Sequence, residues 1–241
     1  MGSTLKIMPT GDSITRGSYL SGLSEAEKAG LPNHVSGGWR KGLQDRLRTA
    51  GIAFEFVGEL DYGAYGHDGV VDPDFSPRHH GLAGFSNHAL RVGGVVPTPP
   101  DVLEAYGVEQ IHAPDIVTAL DRNRPDIVLL MSGSNGFDAA ARDELIETVL
   151  THLDGHLLVA SIPPQCPPRP GYEQVEPYNA SLTAAVARSA AAGKPFTQVD
   201  MHAALSTQDL LEDGVHPSAA GMEKMAEVWW QALQRVLGLT R

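Results

Sequence analysis

What most constrains the fold of this chain is a repeated change of period. Short apolar runs rich in β-forming residues alternate with longer stretches in which apolar residues recur at helical spacing. Residues 5–8 read as a first strand and 52–57 as a second, closed by Gly58. Between them Trp39, Leu43 and Leu47 fall at i, i+4 and i+8 on one helical face, with Gly51 in the place of a C-cap. Residues 126–131, 156–162 and 196–200 supply three more strands, nearly all apolar, as strands covered on both faces should be. Helices are expected over 138–154, 178–192 and 218–237, the last with Met222, Met225, Ala226, Trp229 and Leu233 on one stripe. Strands that alternate with helices pair in parallel through right-handed crossovers, so the chain is predicted to be α/β, a five-stranded parallel sheet with helices on both faces. Its 241 residues, with no internal repeat and no dividing linker, fit one large domain over 1–241.

Charge narrows the partners. Eighteen Lys and Arg against 29 Asp and Glu leave a formal charge of −11, and no basic patch offsets it, so neither a nucleic acid nor an anionic membrane is an expected partner. No apolar run approaches the roughly 20 residues of a membrane span. The start, Met1 to Lys6, has no apolar leader core, yet Met-Gly-Ser is also what remains when a leader is cut away; cytoplasmic and secreted locations both stay open. The single cysteine, Cys166, excludes an internal disulfide and any multi-cysteine metal site. Nothing in the pattern fixes an oligomeric state.

Two stretches resist periodic assignment. Residues 59–114 are dense in Gly, Pro, Asp and His, and a loop region of that length inside a compact domain is usually functional. Residues 163–171 follow the fourth strand, and their prolines keep them stiff at the sheet edge where open α/β folds bind ligands.

The chemistry-bearing residues gather around the same edge. Gly11-Asp12-Ser13-Ile14 follows the first strand, so Ser13 sits at a strand-to-helix turn whose amides can stabilise a developing oxyanion; the plain alternative is a helix N-cap. Asp213-Gly214-Val215-His216-Pro217 precedes the last helix. Its spacing lets a carboxylate reach Nδ1 of an imidazole and leaves Nε2 to take a serine proton, although a surface loop with an ordinary histidine reads the same. Gly133-Ser134-Asn135-Gly136 ends the third apolar strand, where the Asn135 amide can donate to an oxyanion or simply occupy a turn. In 80–87, Gly84 can bring a bare backbone N–H to a substrate or serve as a turn glycine.

Taken together in this order and placement, the four segments resemble the four blocks of the SGNH, or GDSL-type, hydrolase superfamily, from Leu5 to the final helix. The resemblance implies a flavodoxin-like three-layer α/β/α sandwich and assigns Ser13 as nucleophile, with Asp213 and His216 completing a triad. It assigns the oxyanion hole to the Ser13 and Gly84 backbone N–H groups and the Asn135 side chain. The third block of that superfamily commonly continues with Asp, where this chain has Gly136.

A narrower similarity lies in Gly37-Gly38-Trp39-Arg40, Phe56-Val57-Gly58-Glu59 and His80 to Phe85, which look like stretches of the acetylxylan-esterase-like carbohydrate O-acetyl esterases, with Phe85 where that branch tends to have Trp. A Gly-x-Ser-x-Gly elbow is absent, which argues against an ordinary α/β-hydrolase. His67, His79, His80 and His88 with Asp68, Asp72 and Asp74 invite a metal, but no pair shows a helical ligand spacing; no metal and no cofactor is expected. Trp39 and Trp229 belong to helical stripes and are expected in the core, with Trp230 open between core and sugar stacking. The expected function is hydrolysis of short-acyl, above all acetyl, esters on a carbohydrate or small molecule. A lysophospholipase or thioesterase of the same superfamily, or an impaired carbohydrate-binding protein, are the alternatives.

Overall fold

The computed structural model describes residues 4–17, 37–61, 73–97, 110–191 and 193–239. Its main sheet is parallel, with β1 (Leu5–Gly11), β2 (Phe54–Phe56), β6 (Ile127–Met131), β7 (His156–Ala160) and β8 (Phe196–Val199) in the order β2-β1-β6-β7-β8. These are the five expected strands. The chain winds outward from β1 in one direction to β2 and in the other through β6, so the order reverses between β1 and β6, and it is beyond the carboxyl ends at such a reversal that open α/β sheets bind their ligands. Strand β1 is long enough to take two partners on one side. Residues Leu5 to Ile7 pair with β2, and Thr10 and Gly11 pair with a two-residue strand, β3 (His80–Gly81), which the sequence pattern does not reveal.

Alternation along β6 shows why both faces must be covered. Ile127, Leu129 and Met131 enter one apolar cluster, and Val128 and Leu130 enter the other. The first cluster is closed by α2 (Gly38–Thr49) and the long α7 (Ala219–Val236), whose fully buried Trp39 and Trp229 rings lie 5.5 Å apart. At its rim Arg46 of α2 reaches Glu223 and Glu227 of α7 at 2.7 and 2.8 Å. Trp230 is partly buried against the same cluster. On the opposite face α3 (Asn87–Val92), α4 (Ile116–Asn123), α5 (Ala139–His152) and α6 (Val175–Ala191) contribute Leu90, Ile116, Leu145, Val149 and Leu182. The starts of the first three are set by side chains: Ser86, Asp115 and Asp138 accept from the amides of Ala89, Thr118 and Ala141.

The stretch expected to be irregular carries local order where it is described. It holds β3, α3 and both strands of an antiparallel ribbon, β4 (Gly94–Pro97) and β5 (Gln110–Ala113), and α4 follows directly. His67, Asp68 and Asp72 lie outside the described residues.

His79 and His80 are fully buried where the chain enters β3. His79 accepts at Nδ1 from the Gly81 amide. Burial pushes the His80 imidazole down to about 4, against a smaller upward pull from Glu59, and burial with the nearby Arg40 and Arg16 charges holds His79 well below the usual range. An unfolded chain binds these protons near pH 6.5 and the folded one does not, so stability is fully present above that pH and falls as the pH drops through the folded values. His80→Leu should therefore gain on the wild type in thermal melts as the pH is lowered from about 6.5 to about 4. A stability difference that stays constant across that window would show that His80 does not titrate out of reach of solvent.

Candidate active site

Ser13 stands two residues beyond β1, as the first residue of a four-residue helix, α1 (Ser13–Arg16). The turn into it is tight. A Cβ at Gly11 would lie 2.1 Å from the Met131 carbonyl oxygen, so glycine is what lets β1 and β6 end side by side. Asp12 caps α1 by accepting from the Ile14 amide at 3.0 Å. Its carboxyl is fully buried, and burial pushes it up against the opposing pull of that amide, of His216 and of Ser134. As the first helical residue, Ser13 has no intrahelical carbonyl for its own amide.

The Ser13 hydroxyl oxygen lies 2.8 Å from Nε2 of His216. Nδ1 of the same ring lies 2.6 Å from Oδ2 of Asp213. The other carboxylate oxygen, Oδ1, accepts from the backbone amides of Val215 and His216, both at 2.9 Å. Burial raises the Asp213 carboxyl, but the His216 ring and these two amides outweigh it and hold the group well below the usual carboxylate range. The same contacts favour the Asp213 anion, and one side chain both builds the turn and orients the ring.

The other two expected oxyanion donors, Gly84 and Asn135, follow two other strands. Leu82 donates to the Gly11 carbonyl at 2.8 Å as β3 runs out beside β1, and the turn that follows carries Gly84 at φ +78. A Cβ at Gly84 would meet nothing within 4 Å, so the position faces open space. Beyond β6, Asn135 donates from Nδ2 to the Phe85 carbonyl at 3.2 Å. That bond ties the Asn-bearing turn to the Gly84 turn and leaves the second amide hydrogen of Asn135 unused by it.

The turn around Asn135 is held by groups that the sequence pattern does not single out. Tyr178 of α6 donates to the Ser132 carbonyl at 2.7 Å and accepts from Nδ2 of Asn87 at 3.0 Å. Gly133, at φ +136, packs directly on the Tyr178 ring. Arg169 donates to the Ser134 carbonyl at 2.6 Å. Gly136 has φ +137, a conformation costly for a residue with a Cβ. The only early signal for these tethers is the pair of glycines flanking Asn135. Of the residues that invited a metal, His79 and His80 are buried in the core, and among the described residues no three His, Cys, Asp or Glu side chains group as ligands.

A doubly wound parallel sheet here brings a serine, a histidine and an aspartate into one hydrogen-bonded series at its carboxyl edge, an arrangement in which an imidazole can draw a proton from a serine hydroxyl. The chain matches the model of the GDSL-like lipase/acylhydrolase family over residues 7–229, and it belongs to that family. It is similar to a multidomain esterase of Ruminococcus flavefaciens, 27% identical over 249 residues that cover 97% of this chain. The match takes in only 29% of that relative's own length. Among solved structures, a family 3 carbohydrate esterase of Clostridium thermocellum is similar with a TM-score of 0.67 and 27% identity, over 98% of this chain and 99% of the other. A carbohydrate esterase family 3 structure from Talaromyces cellulolyticus shares the fold, with a TM-score of 0.68 at 19% identity, over 99% and 100% of the two chains.

A Cβ at Gly133 would lie 2.4 Å from the Tyr178 ring, whereas one at Gly136 would meet nothing within 4 Å. Gly133→Ala should therefore lose about 1–3 kcal/mol more stability than Gly136→Ala, since both bear backbone strain but only the first displaces a packed ring. Equal losses in thermal or urea unfolding would show that the ring yields freely.

Proposed function

We propose that the chain is a metal-independent serine esterase that removes short acyl groups, acetyl above all, from carbohydrate hydroxyls. The observation that carries this reading is the series Ser13–His216–Asp213, with contacts of 2.8 and 2.6 Å. His216 takes the Ser13 proton at Nε2 as the Ser13 oxygen attacks the ester carbonyl carbon. Negative charge builds on the former carbonyl oxygen and is met by the Ser13 and Gly84 amides and by the free amide hydrogen of Asn135. His216 returns the proton to the departing sugar oxygen, and an acyl group remains on Ser13. Water, activated by the same imidazole, attacks the acyl carbon and releases the acid. Throughout, Asp213 stays ionised and stabilises the imidazolium without accepting its proton.

The acetyl preference is supported by the short motifs shared with carbohydrate O-acetyl esterases and by the likeness to carbohydrate esterase structures. The nucleophile, base and oxyanion donors come from the protein itself, so no step calls for a metal.

Ser13→Ala and His216→Ala should each lower kcat by about 10⁴–10⁶ with the fold intact, because members of such a series act as a unit. Asp213→Asn should cost less than either. Asn135→Ala should lose about 10²–10³ in kcat with KM little changed, since its donation strengthens only as the oxyanion develops. More than a tenth of the wild-type rate in Ser13→Ala removes Ser13 as the nucleophile.

The substrate assignment is tested by p-nitrophenyl esters of graded chain length, run beside acetylated xylan. The C2 ester should be turned over fastest and acetate should be released from the polysaccharide. Faster turnover of long-chain esters selects a lysophospholipase or thioesterase instead. A Ser13 that stays unreactive towards an organophosphate at neutral pH selects an impaired carbohydrate-binding protein.

A further inference from the structure

The turn that carries Asn135 has little stiffness of its own. Gly133 and Gly136 flank it, at φ +136 and +137, and glycine has no side chain to restrict either position. Its geometry therefore depends on what holds its carbonyls from outside. Tyr178 holds Ser132 from α6, and the Phe137 amide closes the turn on the Gly133 carbonyl at 3.1 Å. Asn135 itself is tied to the Phe85 carbonyl at 3.2 Å, and a further tether is Arg169, whose Nη2 lies 2.6 Å from the carbonyl oxygen of Ser134. That carbonyl belongs to the peptide unit leading into Asn135, and because the unit is planar, fixing its oxygen fixes the plane from which the Asn135 side chain departs.

Arg169 is itself anchored towards the other half of the site. Its amide donates to the Cys166 carbonyl at 3.0 Å, and the Cys166 amide donates to the Gly214 carbonyl at 3.0 Å. Gly214 lies between Asp213 and His216, and a Cβ there would sit 2.1 Å from the Cys166 carbonyl oxygen. The proline-rich segment thus runs from the turn that bears the base to the turn that bears the oxyanion donor. Among the described residues no carboxylate pairs with the Arg169 guanidinium, so its directed contact is the Ser134 carbonyl.

Resting on the esterase reading above, the geometry points to Arg169 as a positioning residue for that reaction: through Ser134 it sets the Asn135 amide at the oxyanion position, on a segment locked to the Asp213–His216 turn. It does not touch the reacting atoms. A donor moved by about an ångström costs up to about 10²-fold in rate, and removing the donor outright costs about 10²–10³.

The test measures kcat and KM on p-nitrophenyl acetate, with thermal melts, for Arg169→Ala, Arg169→Lys, Asn135→Ala and the Arg169→Ala/Asn135→Ala double variant. Arg169→Ala should lose about 10- to 100-fold in kcat with KM within about twofold, and Arg169→Lys, which keeps a donor, should regain most of that loss. The double variant should be no slower than Asn135→Ala alone, because Arg169 acts only through Asn135. Full kcat in Arg169→Ala, a rise in KM with kcat held, or losses that multiply in the double variant would overturn the assignment. If Arg169→Ala does not fold, Arg169→Gln takes its place in the same comparisons. An active Ser13→Ala would sink the esterase reading itself, whereas an inactive Ser13→Ala beside fully active Arg169 variants sinks only the role of Arg169.

Discussion

The hydrogen bond between Ser13 and His216 joins residues 203 positions apart, and the rest of the structure can be understood as what makes it possible. Neither local turn could hold the two groups together. Ser13 is fixed by the end of β1, next to the reversal of strand order, and His216 by a turn just before α7, which packs through Trp229 on Trp39. The 2.8 Å contact therefore reports the register of the whole sheet and the seating of the last helix on it. A slip of one residue in β1 would reverse its inward and outward faces, burying the wrong side chains and withdrawing Ser13 from the edge.

Economy of side chains is evident around His216. Asp213 uses one oxygen to close its own turn through two backbone amides and the other to orient the imidazole. Asn135 likewise spends one amide hydrogen on Phe85 and so links the turns beyond β3 and β6. Strand β3 is only two residues long, yet by pairing with Thr10 and Gly11 it delivers the Gly84 turn to the same edge as Ser13. The site is assembled from loops of four strands, but each loop is bonded to its neighbour.

Much of this was legible in the sequence because the physics behind it is local. A buried parallel strand must be apolar on both faces, so β6 and β7 announce themselves, and an amphipathic helix such as α7 must repeat every three or four residues. The Gly-Asp-Ser and Asp-x-x-His segments stood out through their order and placement, which resemble the blocks of a known superfamily, since each alone reads equally as a helix cap or a surface loop. Helices α3 and α4 were not, because six and eight residues give too few turns for a period, and they are held by caps and by burial of Leu90 and Ile116. The tethers of the Asn135 turn were hidden for a different reason. Tyr178 and Arg169 lie dozens of residues from the carbonyls they bind, and nothing in their immediate neighbours foretells those contacts.

The close approach of Gly214 to the Cys166 carbonyl has a bearing on how such a protein can be altered. Loops beyond the strands of a sheet are commonly treated as exchangeable parts, to be lengthened or replaced while the scaffold stays constant. Here residues 163–171 and the turn bearing His216 fit each other at backbone level, with no side chain between them to absorb a change. A transplanted version of the proline-rich segment that shifted residue 166 would push on the turn holding the imidazole. The two segments fit as one unit, so a replacement at this edge keeps that fit when both are exchanged together.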